Sequence, residues 1–125
     1  MAVYDKAYEL ARELKGSEEY KEYQKAKQAI LENPQALSIL REYRTHQLAA
    51  QSAILTGKEL DEKQKAALGR IQEIVNMHGP VKRFIEAEER VLVVLADIQK
   101  ILQDAMDLLD YMQGDTASRR EGASA

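Results

Sequence analysis

The chain of 125 residues is long enough for one domain with a modest core, and its net charge of -3 excludes a general attraction to nucleic acid or to anionic membranes. The absence of cysteine excludes disulfides, thiolate metal sites and a cysteine nucleophile. Abundant Ala, Glu, Lys, Leu and Gln, with only two prolines, predict an all-α fold of about five helices.

The first two predicted helices meet at Gly16 and Ser17. Apolar residues recur at the three-and-four spacing of one helix face, at Val3, Ala7, Leu10 and Leu14. We expect Gly16 to end the first helix in the left-handed conformation and Ser17 to cap the second through its hydroxyl. The second helix is expected to be short, and its apolar residues are Tyr20, Tyr23, Ala26, Ile30 and Leu31.

Asparagine and proline mark the start of the third predicted helix. Asn33 is a good N-cap, and Pro34 suits the first helical position because its missing amide hydrogen costs nothing there. The helix is predicted to run from about Pro34 to Thr56 and to end at Gly57. It is expected to bury some combination of Leu37, Leu40, Tyr43, Leu48 and Ile54.

The fourth helix is predicted to begin at Asp61, which has Gln64 at the spacing of a capping box. His78-Gly79-Pro80 is expected to end it, because proline cannot continue the hydrogen-bond ladder. Its apolar stripe is formed by Leu68, Ile71, Ile74 and Val75.

A long last helix is predicted from about Pro80 to Met112, without an internal breaker. Its apolar residues occupy four of the seven heptad positions, which is wider than a two-stranded seam and implies contact with at least two neighbouring helices. We expect its a and d positions to form the core and dimer interface, and these are Val81, Phe84, Glu88, Val91, Leu95, Ile98, Leu102, Ala105, Leu109 and Met112.

The predicted length of this helix favours self-association. About 32 residues of helix extend roughly 48 Å, whereas a compact domain of this size has a diameter of roughly 35 Å. Apolar residues at the helix tip would then need a second chain, most simply in a two-fold dimer. The alternative is a monomer in which helices one to four bend around the last helix. Residues 1–113 are expected to form one helical domain, and residues 114–125 a disordered tail.

The polar exception in the apolar row is Glu88. A carboxylate in such a row is costly unless it is paired, and Arg41, Arg44 or Arg83 could supply the charge. One interpretation is a polar position that sets the register of a helix interface. The other is a carboxylate that binds a ligand.

The sequence contains no pattern typical of an enzyme or a metal site. The two histidines, His46 and His78, lie on different predicted elements, and a metal site needs three or four convergent ligands. Glu86 and Glu89 fall on the solvated face, and nucleophile motifs and phosphate loops are absent. We therefore expect neither catalysis nor a cofactor.

Tyrosines interspersed with lysines in the first two helices resemble the surface of an RNA-binding module. The acidic residues of the same helices cancel that positive field, so direct binding to nucleic acid is not expected. With no secretory signal and no window of about 18 uncharged apolar residues, we expect a cytoplasmic protein without a membrane segment.

Two long stretches carry a family resemblance. "VYDKAYELARELKGSEEYKEYQKAKQAILENP" resembles the opening of the YlbF/YmcA family of small helical bacterial proteins, and "FIEAEERVLVVLADIQKIL" is similar to that family's last helix. The resemblance covers about Val3 to Asp110. It implies intertwined, segment-exchanged dimers and a non-enzymatic role in competence, sporulation or biofilm control, with two members acting in ribonuclease Y-dependent RNA processing.

The iron–sulfur clusters of that RNA-processing complex are held by cysteines, which this chain lacks, so no cluster is expected. In this respect the chain is similar to the cysteine-free YheA-type branch. The resulting hypothesis is a regulatory adaptor whose partners are a second copy of itself and another protein. The alternatives are an RNA-binding accessory module and a helical bundle that binds a small ligand.

Overall fold

Five α-helices follow one another in the computed structural model, which describes residues 1–107 and 111. They are α1 (Ala2–Lys15), α2 (Glu18–Leu31), α3 (Pro34–Thr56), α4 (Glu62–Met77) and α5 (Gly79–Met106). No strand occurs among the described residues. The predicted all-α fold with five helices and a long last helix is therefore confirmed.

The chain divides into two compact units, Met1–Val91 and Leu92–Ala125. The first unit contains α1 to α4 and the first half of α5, and the described part of the second is the rest of α5. The single domain over residues 1–113 stays a prediction. The tail predicted for residues 114–125 lies outside the described residues.

Most of the predicted helix boundaries are formed by the expected caps. The Ser17 hydroxyl accepts the N–H of Tyr20, and Asn33 Oδ1 accepts the N–H of Ala36 at 3.1 Å. Asp61 and Gln64 form a reciprocal capping box, with N–H to side-chain oxygen distances of 2.7 and 3.0 Å. Each cap satisfies amide groups that the first helical turn leaves free, so these starts are set by local chemistry.

Gly57 ends α3 in the left-handed conformation, with φ of 70°. The next N–H, from Lys58, donates to the Ala53 carbonyl at 2.9 Å, as in a Schellman motif. Glycine adopts this φ without the steric penalty of a β-carbon. The predicted end of α3 is confirmed.

Two boundary predictions were wrong. Gly16 ends α1 with φ of -89°, in the right-handed conformation, and the Ser17 hydroxyl donates to the Leu14 carbonyl at 2.6 Å. The serine satisfies a carbonyl at the end of α1, so a left-handed glycine is not needed.

Helix α5 ends at Met106 instead of Met112, and Asp107 follows with φ of 49°, a value that aspartate tolerates better than most residues. Helix α2 is also as long as α1 and is not short.

The core of the first unit lies where α2, α3, α4 and the start of α5 meet. The buried cluster consists of Ile30, Ala36, Val75, Val81 and Phe84. The Phe84 ring packs against Tyr23, with 5.5 Å between the ring centroids. Because the cluster contacts only the first half of α3, Leu48 and Ile54 remain exposed.

Substitution of two glycines by alanine tests whether backbone conformation alone sets the α3–α4 turn. A β-carbon at Gly57 or at Gly69, inside α4, would meet no heavy atom within 4 Å. Gly57→Ala should destabilise the fold by about 1 kcal/mol because of its positive φ, whereas Gly69→Ala should stabilise it by about 0.5–1 kcal/mol. Urea unfolding measures both, and shifts of the same sign would contradict this explanation.

Candidate interaction surface

The apolar row predicted on α5 is divided near Val91. Val81 and Phe84 are buried in the core cluster, and Glu88 and Val91 are half-buried. Ala87, which lies beside this row on α5, is also buried. These residues belong to the unit Met1–Val91, so the first half of the row is covered within a single chain.

The second half of the row is largely uncovered in the described structure. Ile98 is half-buried, whereas Leu95, Leu102 and Ala105 are exposed, and Leu109 and Met112 lie outside the described residues. Large exposed apolar side chains at neighbouring heptad positions widen the uncovered area. We call the following set the α5 apolar surface: Leu92, Leu95, Ile101, Leu102 and Met106.

The opposite side of this half of α5 is polar and mainly acidic. At 3.6 residues per turn, Asp97, Lys100 and Asp104 lie on this side. Val93 lies there as well and is 52% exposed, about as much as Leu102 at 53%. The helix is therefore amphipathic along Leu92–Met106, and its apolar side faces solvent in the single chain.

Glu88 forms an ion pair with Arg44 of α3, one of the three arginines considered as partners from the sequence. The second guanidinium nitrogen of Arg44 donates to Gln47 Oε1 at 3.0 Å, and its carbon lies 5.9 Å from the centroid of the Tyr43 ring. Both charged side chains are half-buried. The carboxylate is thus neutralised by a group of the same chain, and α3 is linked to the first half of α5.

Helix α1 carries a second uncovered apolar surface, separate from the apolar row of the last helix. None of its residues is buried, and among helices α1 to α4 it contacts only α2. We call the following set the α1 apolar surface: Val3, Tyr4, Ala7, Tyr8 and Leu10, all of which are exposed. The periodicity of Val3, Ala7 and Leu10 predicts an apolar face, but it does not reveal whether the chain covers that face.

Two open cavities of about 240 and 260 Å³ lie in the first unit. The first is largely apolar and is lined by His46, Leu60 and Leu68, among others. The second is more polar and is lined by residues that include Tyr43, Lys82 and Glu86. Among the described residues, no three His, Asp or Glu side chains are grouped as metal ligands would be. None of the described helices has the length and apolar character needed to cross a membrane.

Comparison with known proteins identifies the family. The family model described as "Control of competence regulator ComK, YlbF/YmcA" matches residues 3–107. A UPF0342 protein of Halothermothrix orenii is 35% identical over 108 residues, which are 86% of this chain and 92% of that protein. A UPF0342 protein of Symbiobacterium thermophilum is 35% identical over 106 residues, which are 85% of this chain and 95% of that protein.

A solved structure shares the fold. It is a protein of unknown function (DUF964) from Bacillus stearothermophilus, with a TM-score of 0.72, 14% sequence identity, and coverage of 88% of this chain and 96% of that one. At this identity the similarity concerns the fold alone. The match of the family model over nearly the whole described chain, together with the UPF0342 relatives, shows that the chain belongs to the YlbF/YmcA family, which is linked to the regulation of competence.

Proposed function

We propose that the protein is a non-enzymatic regulatory adaptor that acts by associating with itself and with another protein through its helices. The observation that carries the proposal is the α5 apolar surface, which is exposed along one side of Leu92–Met106. The family's link to competence regulation supports a regulatory role. Control of competence, sporulation, biofilm formation or RNA processing in the cytoplasm is the expected setting.

The size of the α5 apolar surface supports a role in association. Its five side chains are each about half exposed and present about 100 Å² each, or about 500 Å² in all, which is the size of the largest, often functional, apolar patch on a typical monomer. Two copies that cover this surface mutually would bury about 1,000 Å². Apolar burial of this kind drives most association between proteins.

An adaptor is preferred to an enzyme because of the available chemistry. The sequence has no cysteine and only two histidines, and these lie on different helices, α3 and the boundary of α4. No nucleophile motif or phosphate-binding loop is present. The proposed mechanism therefore uses surfaces alone and includes no cofactor.

The two alternative functions have weaker support. For RNA binding, the cations of α1 have acidic neighbours, as in the Lys6–Glu9 pair at 3.4 Å, and the net charge of the chain is negative. A gel shift that weakens steeply with salt would be required to support it. For binding of a small ligand at Glu88, the carboxylate is already paired with Arg44.

Glu88 is instead proposed to stabilise the packing of α3 on α5. Its charge is neutralised within one chain, so a partner chain need not supply a cation. The half-buried pair also restricts which residues of α3 can face α5, because an unpaired carboxylate in this position would be costly. Glu88 and the α5 apolar surface then have separable roles.

A matched pair of substitutions tests association through the α5 apolar surface. Leu102→Asp and Val93→Asp introduce the same charge at equally exposed positions on opposite sides of α5. Leu102→Asp should shift the protein to monomers at about 10 μM by placing a carboxylate in the interface, whereas Val93→Asp should associate as the wild type does. Sedimentation velocity measures the distribution. Equal behaviour of the two variants, or a monomeric wild type, would refute self-association through this surface.

The same variants test the regulatory role in the organism that encodes the protein. Deletion of the gene should change transcript levels, and Val93→Asp should restore them while Leu102→Asp should not, because only the latter disrupts the proposed contact. RNA sequencing measures the response, and immunoblots establish that both variants accumulate equally. Restoration by both variants would show that the biological role does not depend on the α5 apolar surface.

The role of Glu88 is tested by a double-mutant cycle with Arg44. Glu88→Gln should destabilise the fold by about 1–2 kcal/mol, and the coupling with Arg44→Gln should be about 1 kcal/mol. Glu86→Gln is a matched control, because Glu86 pairs with Arg90 at 3.9 Å on the surface and should contribute less than about 0.5 kcal/mol. Urea unfolding provides the free energies, and a Glu88→Gln variant as stable as Glu86→Gln would argue against a structural role.

A further inference from the structure

The largely apolar one of the two open cavities, which we call the α3–α4 cavity, has a volume of about 240 Å³. Its walls are side chains of the second half of α3, of the loop after Gly57 and of the first half of α4. Two wall residues, Ala49 on α3 and Ala67 on α4, have side chains of a single carbon, so the two helices do not fill the space between them. Leu60 and Leu68 complete the apolar wall.

Two basic side chains line the same cavity. They are His46 of α3, which is half-buried, and Lys63 of α4, which is exposed, and within the described part of the chain neither forms a hydrogen bond or an ion pair. The other polar side chains of the wall are already engaged. The Thr45 hydroxyl donates to a carbonyl of its own helix at 3.0 Å, and Gln64 Oε1 accepts an N–H of the capping box at 3.0 Å.

We infer that the α3–α4 cavity binds a small monocarboxylate, with its apolar body against Leu60 and Leu68 and its carboxylate group beside His46 and Lys63. Such a ligand combines the two features of the wall, an apolar surface and basic groups without a partner. The inference goes beyond the proposed adaptor role and does not rest on self-association.

The volume of the cavity indicates the size of the ligand. An apolar cavity of about 150 Å³ holds benzene, so a volume of about 240 Å³ corresponds to about ten non-hydrogen atoms, which is the size of octanoate. Water occupies an apolar space of this kind poorly, because each water molecule needs about two to four polar partners. An apolar chain is therefore a better occupant than water.

The charges of the wall favour a carboxylate over a cation or a phosphate. The ammonium group of Lys63 supplies one positive charge, and a neutral imidazole at His46 supplies an N–H donor without adding charge. A carboxylate carries a single negative charge and has two acceptor oxygens, one for each of these donors. The second cavity lacks this match, because Glu86 lines it together with Lys82.

Titration of the full-length protein with octanoate tests the inference. We expect a dissociation constant of about 0.1–1 mM, as is usual for a ligand of this size, measured by calorimetry. The ring signals of the two histidines in NMR spectra locate the site, because His46 lines the cavity and His78 does not. Octylammonium, with the same chain and the opposite charge, should bind at least about tenfold more weakly. Acetate, which lacks the chain, should not bind at about 10 mM.

Two matched pairs of variants separate the apolar wall from the charge. Ala67→Leu fills the cavity and should weaken octanoate binding at least about tenfold, whereas Ala66→Leu, at the exposed neighbouring position, should bind as the wild type does. Lys63→Gln should weaken binding about tenfold, whereas Lys65→Gln, which changes a lysine outside the wall, should not. Ala49→Leu fills the cavity from α3 and replaces Ala67→Leu if circular dichroism shows that the latter loses helix content.

The outcomes are distinct. Binding that shifts the His46 signals, and that both the cavity-filling variant and Lys63→Gln weaken, would support the site. No binding at about 10 mM octanoate would overturn the inference, and so would equally strong binding of octylammonium, because the site then does not favour a negative charge. Binding that neither cavity-filling variant changes would place octanoate elsewhere on the chain and would also overturn it. A monomeric wild type would refute the proposed self-association and leave this inference intact.

Discussion

The structure depends on the burial of the first half of α5 between α2, α3 and α4. Val81 and Phe84 supply the contacts through which four helices share one core, and the Tyr23–Phe84 ring contact joins α2 to α5. The Arg44–Glu88 pair adds a polar link from α3. The α1 apolar surface and the α5 apolar surface contribute no residue to this core, and the proposed self-association would cover the latter.

The sequence predicted the helices well where their ends are set by local chemistry. Asn33-Pro34, Gly57 and the Asp61–Gln64 capping box act within a few residues, and the structure confirms each of them. Gly16 was not predicted correctly because the Ser17 hydroxyl, one residue later, competes for a carbonyl at the end of α1. The end of α5 was placed too late because an apolar repeat indicates which residues share a face and does not indicate where a helix stops.

Burial could not be read from the same pattern. Val81 and Leu102 occupy the same heptad position, yet Val81 is buried and Leu102 is exposed. The difference depends on which helices are near each residue, and that is a property of the tertiary fold. Likewise, three arginines could pair with Glu88 on the basis of the sequence. The packing of α3 on α5 determines that the partner is Arg44. The dimer interface predicted from the heptads stays a prediction, and the exposure of the α1 apolar surface is a feature that the heptads did not indicate.

Helix α5 passes without interruption from one compact unit into the other at Val91. We therefore expect its backbone amides to open in different cooperative units, although they belong to one continuous helix. Amides near Phe84 are expected to exchange with deuterium only when the core unfolds, and those near Leu102 through fraying of the helix. The protection gradient along this single helix thus measures how firmly its outer half is held, residue by residue, under any condition in which the core remains folded.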